Sequence, residues 1–207
     1  MRVDERLEVL ATILLALATL GTAWSGYQAA RWNGEQAKAA SRANAARIAS
    51  TKAAARADAQ TQVDVATFVA WADAYAQKQT ELADFYFKRF RAEFKPAVEA
   101  WIATRPLKNP DAPLTPFAMP QYKLAEREES DRLAAEGEVL AAKARTDVER
   151  STNYVLAVVL FAAVLFFAGM STKLSLPVLR RILLGFGIVL FLATVVWLAT
   201  SPVSLSL

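Results

Sequence analysis

The sequence predicts an all-α membrane protein with three transmembrane helices and a long, coiled-coil-like helical extramembrane domain between the first two of them. Three observations support this prediction. Uncharged apolar runs lie near both ends of the 207-residue chain. Neither Gly nor Pro occurs between Gly34 and Pro96, so a helix that begins in the first run can continue far beyond it. The middle of the chain is rich in Ala, Arg and Glu, as in long helices.

Three segments are predicted to cross the membrane. Transmembrane helix 1 is expected at 7–27, and residues 153–200 are expected to form a hairpin of two spans, 154–170 and 182–200. Segments of this length are near the minimum for a hydrocarbon core about 30 Å thick. The N-terminal run is expected to remain as an anchor, because it is longer than the apolar core of a signal peptide.

Small residues form a stripe at 4-3-4-3 spacing along the first span: Thr12, Ala16, Thr19, Ala23 and Gly26. Small faces allow transmembrane helices to approach closely. We expect this stripe to contact the other two spans of the same chain, and contact with a second copy is the alternative.

The extramembrane domain is predicted at 28–152, with helices at about 28–60, 62–103 and 121–150 and a Pro-rich strap at 104–120. The first of these helices would extend about 50 Å at 1.5 Å per residue. Whether it forms one rod or a hairpin with the second helix remains open.

The first and third of these helices are predicted to pair in antiparallel fashion. The first is Ala-rich and basic and the third leans acidic, so opposite charges would flank a contact made by small residues. The strap contains five prolines within Arg105–Pro120, which exclude helix and predict an extended, polyproline-like connection.

Two groups of residues are candidates for docking a partner. The first group, Tyr27, Gln28 and Trp32, lies at the end of the first span. Two of its members, Tyr27 and Trp32, form with Trp24 a pattern typical of an interfacial aromatic belt. The second group recurs at helical spacing and consists of Phe85, Tyr86, Phe90 and Phe94. Helical spacing of this kind is more often produced by core packing, which is the competing interpretation for each residue.

The composition argues against several classes of function. The chain has no Cys and no His, so a thiol nucleophile, the commonest general base and the commonest metal ligand are missing. No phosphate-binding or dinucleotide-binding motif occurs. We therefore predict no catalytic residues, no cofactor, no metal and no small-molecule substrate. The net charge of +4 is mild, and no nucleic-acid partner is expected.

The orientation is predicted from the short turn between the last two spans. Lys173, Arg180 and Arg181 lie in this turn, and Lys and Arg in short loops favour the cytoplasmic side. The N-terminus, which carries Arg2 and Arg6, would then be cytoplasmic and the helical domain periplasmic. Basic residues near the membrane on the domain side oppose this assignment, but long domains cross largely regardless of charge.

Several segments resemble a group of uncharacterised bacterial three-span membrane proteins. They are WSGYQAARW at Trp24–Trp32, ADFY at Ala83–Tyr86, FRAEFKP at Phe90–Pro96, PLKNP at Pro106–Pro110 and PFAMP at Pro116–Pro120. The resemblance covers nearly the whole chain and implies the same order of span, helical domain and two-span hairpin. It also implies a bacterial inner membrane, but it carries no activity.

The predicted function is that of a membrane-anchored helical scaffold or accessory subunit, which acts by protein–protein interaction or self-association. The expected partners are the lipid bilayer and either another protein or further copies of the chain. The alternative is a subunit of an oligomeric channel or transport complex, although the spans lack the charges and helix breaks of known carriers. A membrane enzyme is not expected.

Overall fold

The protein is all-α, as predicted. The computed structural model describes residues 3–204. Met1, Arg2 and the last three residues lie outside this range. Helix makes up 82% of the structure, and the described residues contain no strand. The helices are α1 Val3–Ala76, α2 Thr80–Lys88, α3 Lys95–Ala103, α4 Ala125–Lys173 and α5 Pro177–Ala199, with a short 3₁₀ helix at Pro116–Ala118.

Three helices, α1, α4 and α5, are long and apolar enough to cross a membrane. The N-terminal part of α1 and the C-terminal part of α4 contain the first two apolar runs, and α5 contains the third. The structure thus contains the three apolar helices that the sequence predicts.

Helix α1 does not end near residue 61, where the boundary between two helices was predicted. It continues to Ala76, because no Gly or Pro interrupts it. A left-handed residue then stops it: Lys78 has φ 61°, its N–H bonds to Tyr75 O (3.1 Å), and the N–H of Gln79 bonds to Ala74 O (2.9 Å). This is the Schellman arrangement that commonly ends helices. The predicted helix 62–103 is therefore the end of α1 followed by α2 and α3.

Helix α4 contains residues 125–150 of the predicted helix 121–150, which begins four residues later than predicted, and all of the predicted span 154–170. The following connection is shorter than expected, since α5 already begins at Pro177. Proline suits the first helical position, where its missing N–H would have no partner. Arg180 therefore lies in the first turn of α5 and Arg181 directly after it, rather than in a loop.

The chain forms two compact units. Unit 1 comprises Met1–Arg42 and Leu140–Leu207, and unit 2 comprises Ala43–Val139. Helices α1 and α4 each contribute to both units.

The core of unit 1 is built where α1, α4 and α5 meet. Its buried residues are Ala11, Leu14, Ala18, Ala157, Phe161, Val164, Ala168 and Leu184. Gly21 is the point of closest approach, because a Cβ there would lie 2.7 Å from Cζ of Phe161. The ring of Phe161 thus occupies the space that any side chain at residue 21 would need.

The prediction that the small-residue stripe of the first span faces the other spans is wrong for this structure. All five of its residues, from Thr12 to Gly26, are exposed. The face of α1 that packs within unit 1 has the same spacing but is offset along the helix. It consists of the half-buried Gly21 and the buried Ala11, Leu14, Ala18, Ser25 and Gln28. Both faces are rich in small residues, so the spacing alone does not distinguish them.

In unit 2, α1 and α4 pair in antiparallel fashion, as predicted. Arg47 forms an ion pair with Glu138 (2.9 Å), and Arg127 pairs with Asp58 further along the helix. Ser50 donates to the backbone oxygen of Ser130 at 2.9 Å. These exposed ion pairs each contribute about 0–1 kcal/mol, so they fix register more than they stabilise.

An aromatic core closes the other end of unit 2. Phe94 is fully buried and stacks on Phe117 with ring centroids 5.0 Å apart. Phe68 meets Trp101 edge to face at 5.5 Å, and Trp71 meets Phe90 at 6.2 Å. Edge-to-face and offset contacts of this kind stabilise aromatic clusters beyond simple burial.

The Pro-rich segment is not the extended strap that was predicted. It folds into successive turns, with Lys108 N bonded to Arg105 O (2.8 Å) and Ala112 N to Asn109 O (3.2 Å). The indole N–H of Trp101 donates to Pro113 O at 2.7 Å. Proline fixes φ at a value that turns also use. The hydrogen bond from Trp101 on α3 to Pro113 O favours turns over an extended segment.

We expect Gly21→Ala to destabilise unit 1, although Ala favours helix more than Gly by about 1 kcal/mol. The added methyl group would overlap the Phe161 ring, and overpacking of this kind costs about 1–3 kcal/mol. Thermal unfolding of the purified protein, followed by circular dichroism, measures the change. Gly26→Ala is the matched control, because a Cβ there has no neighbour within 4 Å. Equal stability of the two variants would contradict the packing described here.

Candidate interaction sites

The C-terminal segment of unit 1 is held by side chains from α1 and α4, an arrangement we call the C-terminal clamp. Gln28 accepts a hydrogen bond from Ser204 N at 3.0 Å, and its amide donates to Ser204 O at 3.4 Å. Trp32 Nε1 (3.3 Å) and the Tyr154 hydroxyl (3.1 Å) both donate to Pro202 O. Gln28 thereby pairs with the backbone of Ser204 as a neighbouring strand would.

A charged cluster lies beside the clamp. The guanidinium of Arg150 lies 4.5 Å from the centre of the Trp32 ring, a cation–π distance. Arg150 also pairs with Asp147 at 3.2 Å, and Lys143 pairs with the same carboxylate at 2.7 Å. Asp147 is fully buried, so its charge needs both cations.

The three candidates after the first span therefore separate. Gln28 and Trp32 are buried, and both bind the chain's own C-terminal segment. Tyr27 is 53% exposed and lies beside Trp24, with ring centroids 6.1 Å apart. Of the three, Tyr27 is the residue that presents a surface.

The second candidate group also separates. Phe90 and Phe94 are buried in the aromatic core, and Tyr86 packs against that core while remaining partly exposed. Phe85 is 46% exposed, and the guanidinium of Arg89 covers its ring at 3.7 Å. Core packing, the competing interpretation, describes Phe90 and Phe94.

A buried carboxylate lies at the edge of the aromatic core. Asp64 on α1 is fully buried, and its Oδ2 accepts from Arg91 Nη1 at 2.8 Å and from the Tyr122 hydroxyl at 3.1 Å. Arg91 also pairs with Glu93, whose other oxygen accepts from Ala125 N at 3.2 Å. Through these contacts α1, the segment before α3 and the start of α4 are joined.

Burial raises the pKa of Asp64 above its usual value, against the opposing effect of Arg91. Its Oδ1 is buried without a hydrogen-bond partner. Burial also raises the pKa of Tyr122, so the phenol remains a hydrogen-bond donor to the carboxylate at neutral pH. The contacts with Arg91 and Tyr122 thus offset only part of the cost of burying the ionised Asp64 carboxylate.

The candidate interaction residues predicted from the sequence do not include Asp64, Arg91, Tyr122, Tyr154 or Ser204. One signal was present for Asp64, since it lies between Val63 and Val65 in a helical stretch. The contacts of Tyr154 and Ser204 join residues far apart in the chain, and no local pattern indicates them.

Comparisons with known proteins find no matching family model, no matching curated protein and no matching solved structure. Within residues 3–204, no three acidic side chains converge to hold a metal ion.

We expect Gln28→Ala to release the C-terminal segment. The substitution removes two hydrogen bonds to Ser204 and exposes its backbone, at a cost of about 1–3 kcal/mol. Ser204→Cys, placed in the cysteine-free chain, should then react with maleimide about tenfold faster, which corresponds to about 1.4 kcal/mol of local opening. Asn33→Ala, at an exposed neighbouring position, is the control and should leave the rate unchanged. A rate that Gln28→Ala does not alter would refute the clamp.

The stability of unit 2 should depend on pH through Asp64. A carboxyl whose folded-state pKa is raised binds its proton more tightly when folded, so its contribution to stability grows as pH falls through that pKa. The gain levels off below the unfolded-state pKa of about 3.9. Asp64→Asn removes this titration, so the unfolding free energy of wild type relative to Asp64→Asn should rise on acidification. Denaturant unfolding at several pH values, followed by Trp fluorescence, measures it. Asp58→Asn, at an exposed carboxylate, is the control; parallel pH profiles for wild type and Asp64→Asn would contradict the assignment.

Proposed function

We propose that this protein is a membrane-anchored helical scaffold or accessory subunit that acts by protein–protein interaction, and that copies of it associate through α1. The observation that carries this proposal is a nearly uncharged exposed stripe on α1 in each unit, on the helix face opposite the one that packs within the chain.

In unit 2 the two faces of α1 are clearly different. Residues at Ala43, Arg47, Ser50 and Asp58 approach α4. The opposite face is exposed, and at 4-3 spacing it carries Ile48, Lys52, Ala55, Ala59, Gln62, Ala66 and Val69. Lys52 is the single charge on it, and Ile48 and Val69 are 58% and 59% exposed. Such a stripe on a long helix is typical of a helix–helix contact.

In unit 1 the exposed stripe is the one predicted from Thr12 to Gly26. Its position on the outside of the unit supports the interpretation that it contacts a second copy. Transmembrane helices associate through small residues because these let backbones approach and pack closely. Thr12 and Thr19 donate to backbone oxygens one turn earlier, so their hydroxyl groups do not oppose such packing.

A contact along much of α1 is energetically favoured over a contact at one point. Ala buries little apolar area, so each Ala contributes weakly, whereas complete burial of Ile48 or Val69 contributes about 1.5–3 kcal/mol. An extended contact with two larger anchors is therefore what this stripe can supply.

The proposal places the protein in a bacterial inner membrane, with unit 2 on the periplasmic side and the N-terminus in the cytoplasm. Lys173 ends α4, Arg181 is the fifth residue of α5, and both are exposed. Positive charge at a short connection between spans favours its retention in the cytoplasm.

Single cysteines test the association directly, because the chain has none of its own. Ala55→Cys and Ala59→Cys should form cross-linked dimers with a short bis-maleimide in native membranes. Val65→Cys is the matched control: it is exposed on the same helix but lies about 100° away from the stripe. Because copies in one membrane share one orientation, their α1 helices are parallel, and cross-links are expected at both stripe positions.

Cross-linking at no stripe position above the Val65→Cys level would overturn self-association. The same control protein reports the orientation. A membrane-impermeant maleimide should label Val65→Cys but not Lys173→Cys in intact spheroplasts. The reverse pattern would place unit 2 in the cytoplasm.

A further inference from the structure

Unit 2 contains an open groove of about 1100 Å³ that the proposed self-association does not use. Its walls come from the end of α1, from α2, from the end of α3 and from the turn that follows α3. Ligand sites are typically concave and mostly apolar, with a few polar groups placed around them. This groove has both features.

The floor of the groove is aromatic and only partly covered. Trp71 stacks with Tyr75 at 5.5 Å and an interplanar angle of 25°, and Phe87 and Trp101 continue this surface. Tyr75, Ile102 and Leu107 line the groove while being 58%, 40% and 85% exposed. Apolar side chains grouped in a concavity mark a binding surface more often than scattered ones do.

The rim is basic. Lys78, Arg105 and Lys108 line it with one carboxylate, Asp84. In the part of the chain that the structure describes, none of the three cations forms an ion pair with a carboxylate. The groove therefore offers positive charge that the chain itself does not neutralise.

Two of these cations stand at positions where glycine would be easier. Lys78 (φ 61°) and Arg105 (φ 52°) are the non-glycine residues with positive φ among those described, and each follows the end of a helix. A left-handed conformation costs a residue with a side chain about 1–2 kcal/mol. Left-handed residues are common after helix ends, and at these two the chain places charged side chains beside the groove although Gly would adopt the conformation at lower cost.

We propose that this groove binds a single-chain acyl carboxylate. The acyl chain lies on Trp71, Tyr75 and Trp101, and the carboxylate is held by Arg105 with Lys78 and Lys108. The planar guanidinium of Arg105 can bind a carboxylate through two parallel hydrogen bonds. This inference is independent of the self-association, because the groove residues are not those of the α1 stripe.

The test uses the full chain in nanodiscs of zwitterionic lipid and a stearate that carries a photoactivatable diazirine on its acyl chain. After irradiation, peptide mapping should place the label on groove peptides that contain Trp71, Trp101 or Leu107. Oleate should compete with this labelling, whereas methyl oleate, which lacks the charge, should not. Label on the apolar spans reports probe dissolved in the bilayer and serves as the internal reference.

A triple variant tests whether binding requires the positive charge of the groove. It carries Lys78→Asn, Arg105→Asn and Lys108→Gln. Asn tolerates the left-handed conformation, so the variant removes charge without further strain. Labelling of the groove peptides, relative to the spans, should fall about tenfold, in line with the loss of charge-assisted hydrogen bonds. Lys52→Gln, at an exposed lysine away from the groove, should have no effect.

Leu107→Asp provides a second variant with little risk to folding, because Leu107 is largely exposed; it should also abolish groove labelling. Equal competition by oleate and methyl oleate would overturn the proposal. So would groove labelling that survives the charge variant, or labelling confined to the spans. Competition by phospholipid vesicles but not by monomeric oleate would overturn it in favour of a membrane lipid.

Discussion

The structure depends on close approach between the backbones of α1 and α4, which small residues permit in each unit. In unit 1, Gly21 leaves room for the ring of Phe161, and Ser151 donates directly to the backbone oxygen of Ala29 at 3.1 Å. In unit 2, a Cβ on Gly137 would lie 3.5 Å from the backbone oxygen of Ala43. Hydroxyl-to-backbone bonds between helices require this proximity, because a Ser side chain is short. Larger residues on either helix would separate the pair and remove these bonds.

Much of the fold followed from local features of the sequence. The three apolar helices were predictable from uncharged runs, and the antiparallel pairing of α1 with α4 was predictable from small residues flanked by opposite charges. The turn after Ala76 was not, because Lys78 adopts a conformation more usual for Gly. The Pro-rich turns were missed for a related reason: proline excludes helix, but only the contact between Trp101 and Pro113 distinguishes turns from an extended strap.

The candidate sites, too, were predictable from local sequence patterns only in part. Aromatic residues at helical spacing indicated that these side chains cluster, but spacing cannot tell Phe94, which is fully buried, from Phe85, which is half exposed. Gln28 was singled out as a polar residue next to an aromatic belt. Its actual partner, Ser204, lies 176 residues away in the chain, and helical periodicity carries no information at that distance. Asp64 likewise has its partners on other segments.

The two buried carboxylates have different surroundings. Asp147 is flanked by Lys143 and Arg150 from its own helix, so its neutralisation is local and forms with α4. Asp64 depends on Arg91 and Tyr122, which lie in segments that follow α1 in the sequence. Breaking a buried pair of this kind is costly because it leaves an uncompensated charge. Asp64 therefore favours one arrangement of these segments over others of similar apolar burial.

The C-terminal clamp joins residues that are synthesised at very different times. Gln28 and Trp32 are synthesised 176 and 170 residues before Ser204 and Pro202, their respective partners. Their hydrogen bonds can form only after α5 and the segment that follows it have been synthesised. A chain released early would leave the amide of Gln28 and the indole of Trp32 without these partners, in a place where polar groups are expensive to leave unpaired. The clamp thus makes the stability of the first helix depend on a segment that is synthesised long after it, so a chain that stops before residue 202 lacks these hydrogen bonds.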